Sequence, residues 1–319
     1  MSDATKTTTQ GALLFIHAQT ALHPGSGTAL GTVDLPVQRE RHTGWPNIAG
    51  SALKGVLRDA CREKIHQATG QPRKVVNEEH PDIVTIFGPG KVDESSAHAG
   101  ALTVSDARIL AYPVRSLRGV FAWVTCRGVL ERLCRDLTLI GMPLPSLPSL
   151  PTTWPAEHRA LVPTNSPLMV GQSNQATVVL EEFDYKVIGP SDGVAEWLAN
   201  HAVADKFAQE RMKSHLVVLS DDDFTHFVRN ATEIVARIAL DYERKTVKEG
   251  ALFYQEFLPA ETLMYSVLLA NSSRNERASM DAAEVLGKVR QCLEDVRVLQ
   301  IGGDETTGKG LCAVHVLQR

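Results

Sequence analysis

The spacing of apolar positions changes several times along the chain, and each change marks an element. Residues 12–21 (ALLFIHAQTA) are nearly continuously apolar, which predicts a first strand. A long polar, glycine-containing loop follows, from Leu22 to about Gly50. Leu53, Val56, Leu57 and Ala60 then recur at helical spacing, with Ser51 as the expected N-cap and Gly70 as the natural stop. Residues 102–112 predict a second strand. Residues 116–136 predict a helix whose apolar side holds Phe121, Val124, Val129, Leu130 and Leu133. Residues 142–167 carry seven of the sixteen prolines, a density that excludes regular structure and predicts an extended loop or insertion. Residues 178–188 and 216–219 read as strands. Ser220 with Asp221, Asp222 and Asp223 reads as a capped helix start. Residues 234–240 and 263–269 are strand-like and bracket a segment punctuated by Gly250 and Pro259, which predicts a protruding β-hairpin. A helix over 279–295, a strand over 296–301, a glycine loop and a strand over 311–317 complete the chain. Strands and helices mix without strict alternation, which predicts an α+β fold.

Composition narrows the class. Of 319 residues, 43% are hydrophobic and 22% charged, as in ordinary globular proteins. No apolar run is long enough to span a bilayer. The opening MSDATKTTTQ lacks the pattern of a secretory signal and reads as a frayed tail. The five cysteines form no C-x-x-C pair, so a disulfide framework and a thiolate zinc site are both unexpected, and a reducing cytoplasm fits best. Net charge is −4, which argues mildly against a nucleic-acid partner. Its distribution softens the objection: residues 1–140 hold 16 Lys+Arg against 13 Asp+Glu, and the remainder 17 against 24. A local groove can still hold RNA, because phosphate contacts are short-ranged in salt.

Three stretches can carry chemistry. In HPGSGTALGTVDLPVQRERHTGWPNIAGSALKG, residues 23–55, Gly25, Gly27 and Gly31 permit close backbone approach, and Asp34 sits mid-loop. Arg39, Arg41 and His42 follow, and Ser51 and Lys54 open a helix, where backbone N–H groups favour phosphate. From composition alone this segment is equally readable as a solvated loop. In GGDETTGKG, residues 302–310, the spacing of a phosphate loop is present, but Gly310 replaces the magnesium-binding hydroxyl and a strand follows instead of a helix. A nucleotide hydrolase is excluded. A glycine turn presenting Gly308 and Lys309 to a backbone phosphate remains, beside the plainer reading of a tight turn. In YPVRSLRG, residues 112–119, Arg115 and Arg118 lie where a strand is expected to pass into a helix. Eleven histidines show no metal-binding spacing.

These stretches, in this order, resemble the RAMP superfamily of CRISPR proteins, and most closely the repeated backbone subunit of the type III-B effector complex. HPGSG, VDLPVQRERHTGWP and SALKGVLRD are similar to that family's N-terminal signature, YPVRSLRGVFAWVT to a second block, KEGALFYQEFLPAETLMYS to a third, and IGGDETTGKG to its glycine loop. The resemblance implies one domain over residues 1–319, a ferredoxin-like (RRM-like) palm with inserted loops, and a β-hairpin thumb within about 241–259. It implies crRNA and complementary target RNA as partners, together with further copies of the chain in a filament and other subunits of the complex. It implies an endoribonuclease dependent on a divalent metal, Mg2+ or Mn2+. Asp34 takes the active-site position and a share of any metal, with His23 beside it. Arg39, Arg41, Ser51, Lys54, Arg115, Arg118, Gly308 and Lys309 take RNA-binding positions. Glu256 and Tyr254 are candidates for the general acid. Two alternatives stay open: a guide-binding scaffold without catalysis, and a guide-processing nuclease using His23 and His42.

Overall fold

The computed structural model describes residues 9–28, 32–90, 98–143, 148–171, 175–248, 250–274, 278–294, 296 and 298–318. Residues 1–8 of the expected tail, Gly31, part of the proline-rich stretch and Asp295 fall outside them, while Thr9 and Gln10, expected in that tail, pair with strand β12 (Leu263–Asn271) as the start of the first strand.

Strand β1 (Thr9–Ala18) is central, which explains its continuous apolar run: Ala12 to Ile16 are at most 1% exposed. It pairs antiparallel with β12 (Leu263–Asn271) on one side and β14 (Leu311–Gln318) on the other. Among the described residues the main sheet runs β13 (Leu299–Gln300), β14, β1, β12, β4 (Ala107–Arg115), β5 (Phe121–Cys126), β9 (Leu216–Leu219), β6 (Arg159–Leu161), β8 (Phe183–Gly189), β7 (Thr177–Leu180). The short β2 (Asn47–Ile48) and β3 (Leu102–Val104) join at β4 and β12. Pairing is antiparallel except at β5–β9 and β6–β8. Helix α1 (Gly50–Thr69) packs against α8 (Ala282–Glu294), and α8 against β1 and β12. The expected α+β class is what forms. No helix among the described residues is long and apolar enough to cross a membrane.

Several expected elements move. Helix α1 stops at Gly70, whose φ of 70° is left-handed, as anticipated. Its N-cap is Ala49, not Ser51. The Gly50 N–H is taken at 2.7 Å by the carboxylate of Asp106, which reaches in from the β3–β4 connection, so no local hydroxyl is needed. Two helices follow, α2 (Arg73–Glu79) and α3 (Pro81–Phe87). The strand expected over 102–112 breaks at Ser105, whose hydroxyl takes the Val267 N–H, and resumes as β4 through Arg115. The helix expected over 116–136 is a correction: a turn at Ser116–Val120 leads into β5, and only α4 (Arg127–Leu139) is helical. Strand β5 lies between β4 and β9 with Ala122 to Cys126 buried, so it lacks the alternation that separates a strand from a helix. The proline-rich stretch is not wholly irregular, since β6 pairs with β8 and β9. Helices α5 (Asp192–His201) and α6 (Lys206–His215) connect β8 to β9. Helix α7 (Asp221–Asn230) begins as expected: Ser220 accepts the Asp223 N–H, and the three aspartates occupy the first turn.

The hairpin forms a separate two-stranded sheet, β10 (Glu233–Arg237) with β11 (Phe253–Phe257), and starts before residue 241. It exposes Ile234, Ile238, Leu240, Tyr242, Val247 and Leu252.

Candidate functional site

The first loop, the second strand of the hairpin and the glycine turn meet at one place. Residues 34–37 lie along β11 like a short extra strand. Leu35 N–H donates to Tyr254 O (3.1 Å), Glu256 N–H to Leu35 O (3.0 Å), and Tyr254 N–H to Asp34 Oδ2 (2.7 Å). Asp34 is therefore anchored at the root of the hairpin by a backbone donor, not by a cation. Its residue is exposed, and Oδ1 has no protein donor among the described residues.

His23 lies behind this edge. It is buried, its Nδ1 donates to Glu256 O at 2.7 Å, and its ring packs on Phe257. The glycine turn closes over it: Gly303 N–H donates to His23 O, and a side chain at Gly302 (φ 82°) would run into that same carbonyl. His23 thus holds two segments together. Glu256 is buried as well, accepting Arg39 Nη2 at 2.5 Å and Val37 N–H at 2.9 Å. Arg39 spends its other donor on the carbonyls of Gly44 (3.0 Å) and Val228 (2.8 Å). Glu256 and Arg39 form an internal clamp on the loop, whereas Arg41 extends to solvent with no partner among the described residues. Tyr254 is partly exposed beside Asp34.

The far side of the junction is basic. Asp304, at φ 65° in the glycine turn, accepts Gln255 Nε2 at 2.6 Å and pairs with Arg237 at 2.9 Å. Arg237 and Lys309 both sit over the Phe257 ring, at 5.7 and 5.0 Å from its centre. Gly308 is exposed beside them with φ 76°. The turn leads directly into β14, as its sequence required. Arg237, Gln255, Phe257 and Asp304 were not singled out from sequence. Gln255, Phe257 and Asp304 fall within the third block and the glycine loop, while Arg237 lies outside every block and carries no sequence signal.

The remaining expected residues lie elsewhere. Ser51 is exposed on the first turn of α1, while Lys54 donates to Leu102 O at 2.9 Å and is held below its ordinary pKa by burial and by Arg58. They border a cleft of about 720 Å³ between α1 and the segments around Gly88 and Gly100. Arg115 and Arg118 sit at the β4–β5 turn, not at a strand–helix junction, because β5 replaces the expected helix. Arg115 pairs with Glu181 at 3.0 Å and Arg118 donates to Met169 O, both with exposed side chains.

Among the described residues no three His, Cys, Asp or Glu side chains converge to hold a metal ion. The donor set does not fit a resident ion: the junction offers Asp34 as a single free carboxylate oxygen. What the arrangement does offer is an anchored, solvent-facing hydrogen-bond acceptor between an apolar hairpin and a basic turn.

The RAMP superfamily model matches residues 15–313. The CRISPR system Cmr endoribonuclease Cmr4 of Pyrococcus furiosus is 39% identical over 309 residues, covering 95% of this chain and 94% of that protein. The CRISPR system CMR subunit Cmr4 of Saccharolobus solfataricus is 27% identical, covering 95% of each. The crystal structure of oligomeric Cmr4 from Pyrococcus furiosus superposes with a TM-score of 0.67 at 29% identity, covering 97% of this chain and 98% of that one. A chain of the type III-B Cmr-beta complex bound to cognate target RNA shares the fold, with a TM-score of 0.67 at 23% identity over 96% of each.

Proposed function

Because the chain belongs to the RAMP superfamily, we propose that it is a crRNA-binding backbone subunit of a type III-B CRISPR effector complex and cleaves complementary target RNA within the guide–target duplex. The observation that carries the reading is the placement of Asp34: its carboxylate is fixed at the root of a protruding apolar hairpin, with one oxygen left for a ligand. Similarity to the Pyrococcus furiosus endoribonuclease over nearly the whole chain supports the activity, and the oligomeric crystal form of that relative supports a filament of copies. Other subunits of the complex, crRNA and target RNA complete the partners, and the cytoplasm is the compartment.

The finer architecture follows the same reading. Strands β14, β1, β12 and β4 are adjacent and antiparallel, with α1 after β1 and α8 after β12, which supports a ferredoxin-like palm within one domain. The hairpin over 233–257, including most of the segment expected at 241–259, is the thumb. Its exposed Ile238, Leu240, Tyr242 and Leu252 are the side chains an apolar wedge needs to unstack a base step.

A nucleotide displaced by such a wedge stretches the target backbone, which can bring its 2′-hydroxyl in line with the adjacent phosphorus. Asp34 Oδ1 then accepts the hydroxyl proton as the 2′-oxygen bonds to phosphorus and the P–O5′ bond breaks, the leaving 5′-oxygen taking a proton from the general acid, while Oδ2 stays on the Tyr254 N–H and keeps the carboxylate oriented. Lys309 and Arg237 lie on the phosphate side and Arg41 supplies a free guanidinium, whereas the N–H groups of Gly308 and Lys309 already donate to the carbonyls of Glu305 and Asp304, so Gly308 serves by its exposed, Cβ-free surface. Ser51, Lys54, Arg115 and Arg118 hold guide phosphates at the outer sites. Buried His23 and Glu256 shape the loop, and Tyr254 is the better placed general acid. A divalent ion, Mg2+ or Mn2+, needs RNA phosphates for most of its ligands, because the protein contributes one carboxylate.

The decisive experiment assembles the complex on its guide and offers a labelled complementary target. Asp34→Ala is expected to keep target binding and to lose cleavage; unchanged cleavage removes Asp34 from the chemistry. Chelation with EDTA is expected to stop cleavage and leave the bound target in place, and cleavage that continues in EDTA removes the ion. A scaffold without catalysis has one observation in its favour, since Asp34 already serves as a backbone acceptor.

A further inference from the structure

Apart from the RNA-facing surfaces, the structure brings two cysteines together from opposite ends of the chain. Cys61 lies on the buried side of α1 and Cys292 near the end of α8, and these helices pack on each other. Both residues line one small cavity of about 180 Å³, shared with Lys64, Asp82 and Lys288. Their thiols are near enough to influence each other's ionisation, although 230 residues separate them in sequence. Cys61 is 2% exposed, while Cys292 is half-buried and reachable from the cavity.

We propose that Cys61 and Cys292 form a reversible redox pair, in which Cys292 reacts with a hydroperoxide and Cys61 resolves the product to a disulfide joining α1 to α8. Access assigns the roles, since Cys292 is reachable from the cavity and Cys61 is buried behind it, and the nearby charges agree. The thiol of Cys292 is held below its ordinary pKa by the nearby Cys61 thiol and then by Lys64 and Lys288, against burial and Asp82. The thiol of Cys61 is driven well above its ordinary value by that same proximity and by burial. Lys64 donates to the Gln291 carbonyl and Lys288 pairs with Asp82 at 2.6 Å, so both ammonium groups are held at the cavity. The remaining cysteines lack this setting: burial raises the thiols of Cys126, Cys134 and Cys312.

The steps balance without a further reactant. Cys292 thiolate attacks one peroxide oxygen, the S–O bond forms, the O–O bond breaks, and the leaving hydroxide takes a proton to become water. Cys61 sulfur then attacks the sulfenic sulfur. The S–S bond forms, the S–O bond breaks, and hydroxide leaves with the Cys61 proton as a second water. Two thiols are oxidised by two electrons, and one hydrogen peroxide is reduced to two waters. Closing the bond brings the two sulfur atoms to about 2.05 Å. Such a pair in a reducing compartment is transient and regulatory, which agrees with a chain that has no disulfide framework.

The test treats the folded full-length chain with hydrogen peroxide, then unfolds it, alkylates free thiols with N-ethylmaleimide and maps tryptic peptides by mass spectrometry. The expected result is a chain that loses two of its five alkylatable thiols, yields one peptide pair cross-linked through Cys61 and Cys292, and recovers both thiols with dithiothreitol. In Cys61→Ser the sulfenic acid persists at Cys292 and is trapped by dimedone; in Cys292→Ser no cross-link forms and Cys61 stays reduced. The proposal is overturned if all five thiols remain alkylatable, if Cys292 is carried to a sulfinic acid while Cys61 stays free, or if the cross-link joins other cysteines or two chains. The peptide map of the unsubstituted chain decides the question even where a variant folds poorly.

Discussion

The junction around Asp34 and the start of α1 around Lys54 have similar credentials in the sequence. Each places a charged residue among glycines, near a helix or a turn suited to phosphate. The fold treats them differently. At the α1 start the Gly50 N–H already has the Asp106 carboxylate, and the Lys54 ammonium already has the Leu102 carbonyl. At the junction the protein fills one oxygen of Asp34 and leaves the other open. The same division runs inside the junction. Arg39 is locked by Glu256, Gly44 and Val228, while Arg41, two residues on, is free. Residue type therefore names a group able to bind RNA, and the unmet hydrogen-bonding capacity left after folding names the group available to do so.

That contrast can be broken in three places. The largest effect belongs to Asp34→Asn, which keeps an oxygen for the Tyr254 N–H and removes the charge. Target cleavage is expected to fall about 100-fold or more with little change in thermal midpoint. Retention of full activity would mean that the acceptor matters only as a structural clip. Next comes the pair Arg39→Ala and Arg41→Ala. Loss of the Arg39 guanidinium leaves Glu256 buried without its counter-ion and is expected to cost about 3 kcal/mol in denaturant unfolding. Loss of Arg41 is expected to change stability by less than about 0.5 kcal/mol, while RNA affinity falls. Equal stabilities for the two variants would erase the distinction between clamp and contact. The smallest effect is at Lys54→Ala, where guide affinity is expected to weaken and its logarithmic salt slope to flatten by about one unit. An unaltered slope would make Lys54 an internal strut to Leu102 and confine RNA contact to other residues.

The pattern of local signals made much of the fold legible. Strand β1, the Gly70 stop of α1 and the Ser220 cap of α7 each depend on neighbours within a few residues, so period and capping chemistry suffice. Strand β5 was hidden, because a strand buried between β4 and β9 loses its alternation and its apolar positions fall at helical spacing by chance. The N-cap of α1 was misplaced because its carboxylate lies 56 residues away. The order of the glycine loop, the YPVRSLRG block, the hairpin block and the final glycine turn pointed to the family, and Asp34 stood out in that order. The clamp between Arg39 and Glu256, 217 residues apart, left no local trace.

Local chemistry along the chain is enough to set where most elements start and stop, which residues carry charge, and which blocks mark the family. Folding alone settles which of those charges stay free, which are consumed by the protein, and that Cys61 meets Cys292. The physical reason is that hydrogen-bond satisfaction and burial are properties of the closed chain. A donor's partner is chosen by the packing of β1, β11, α1 and α8 against distant segments, and no window of sequence contains both members of such a pair.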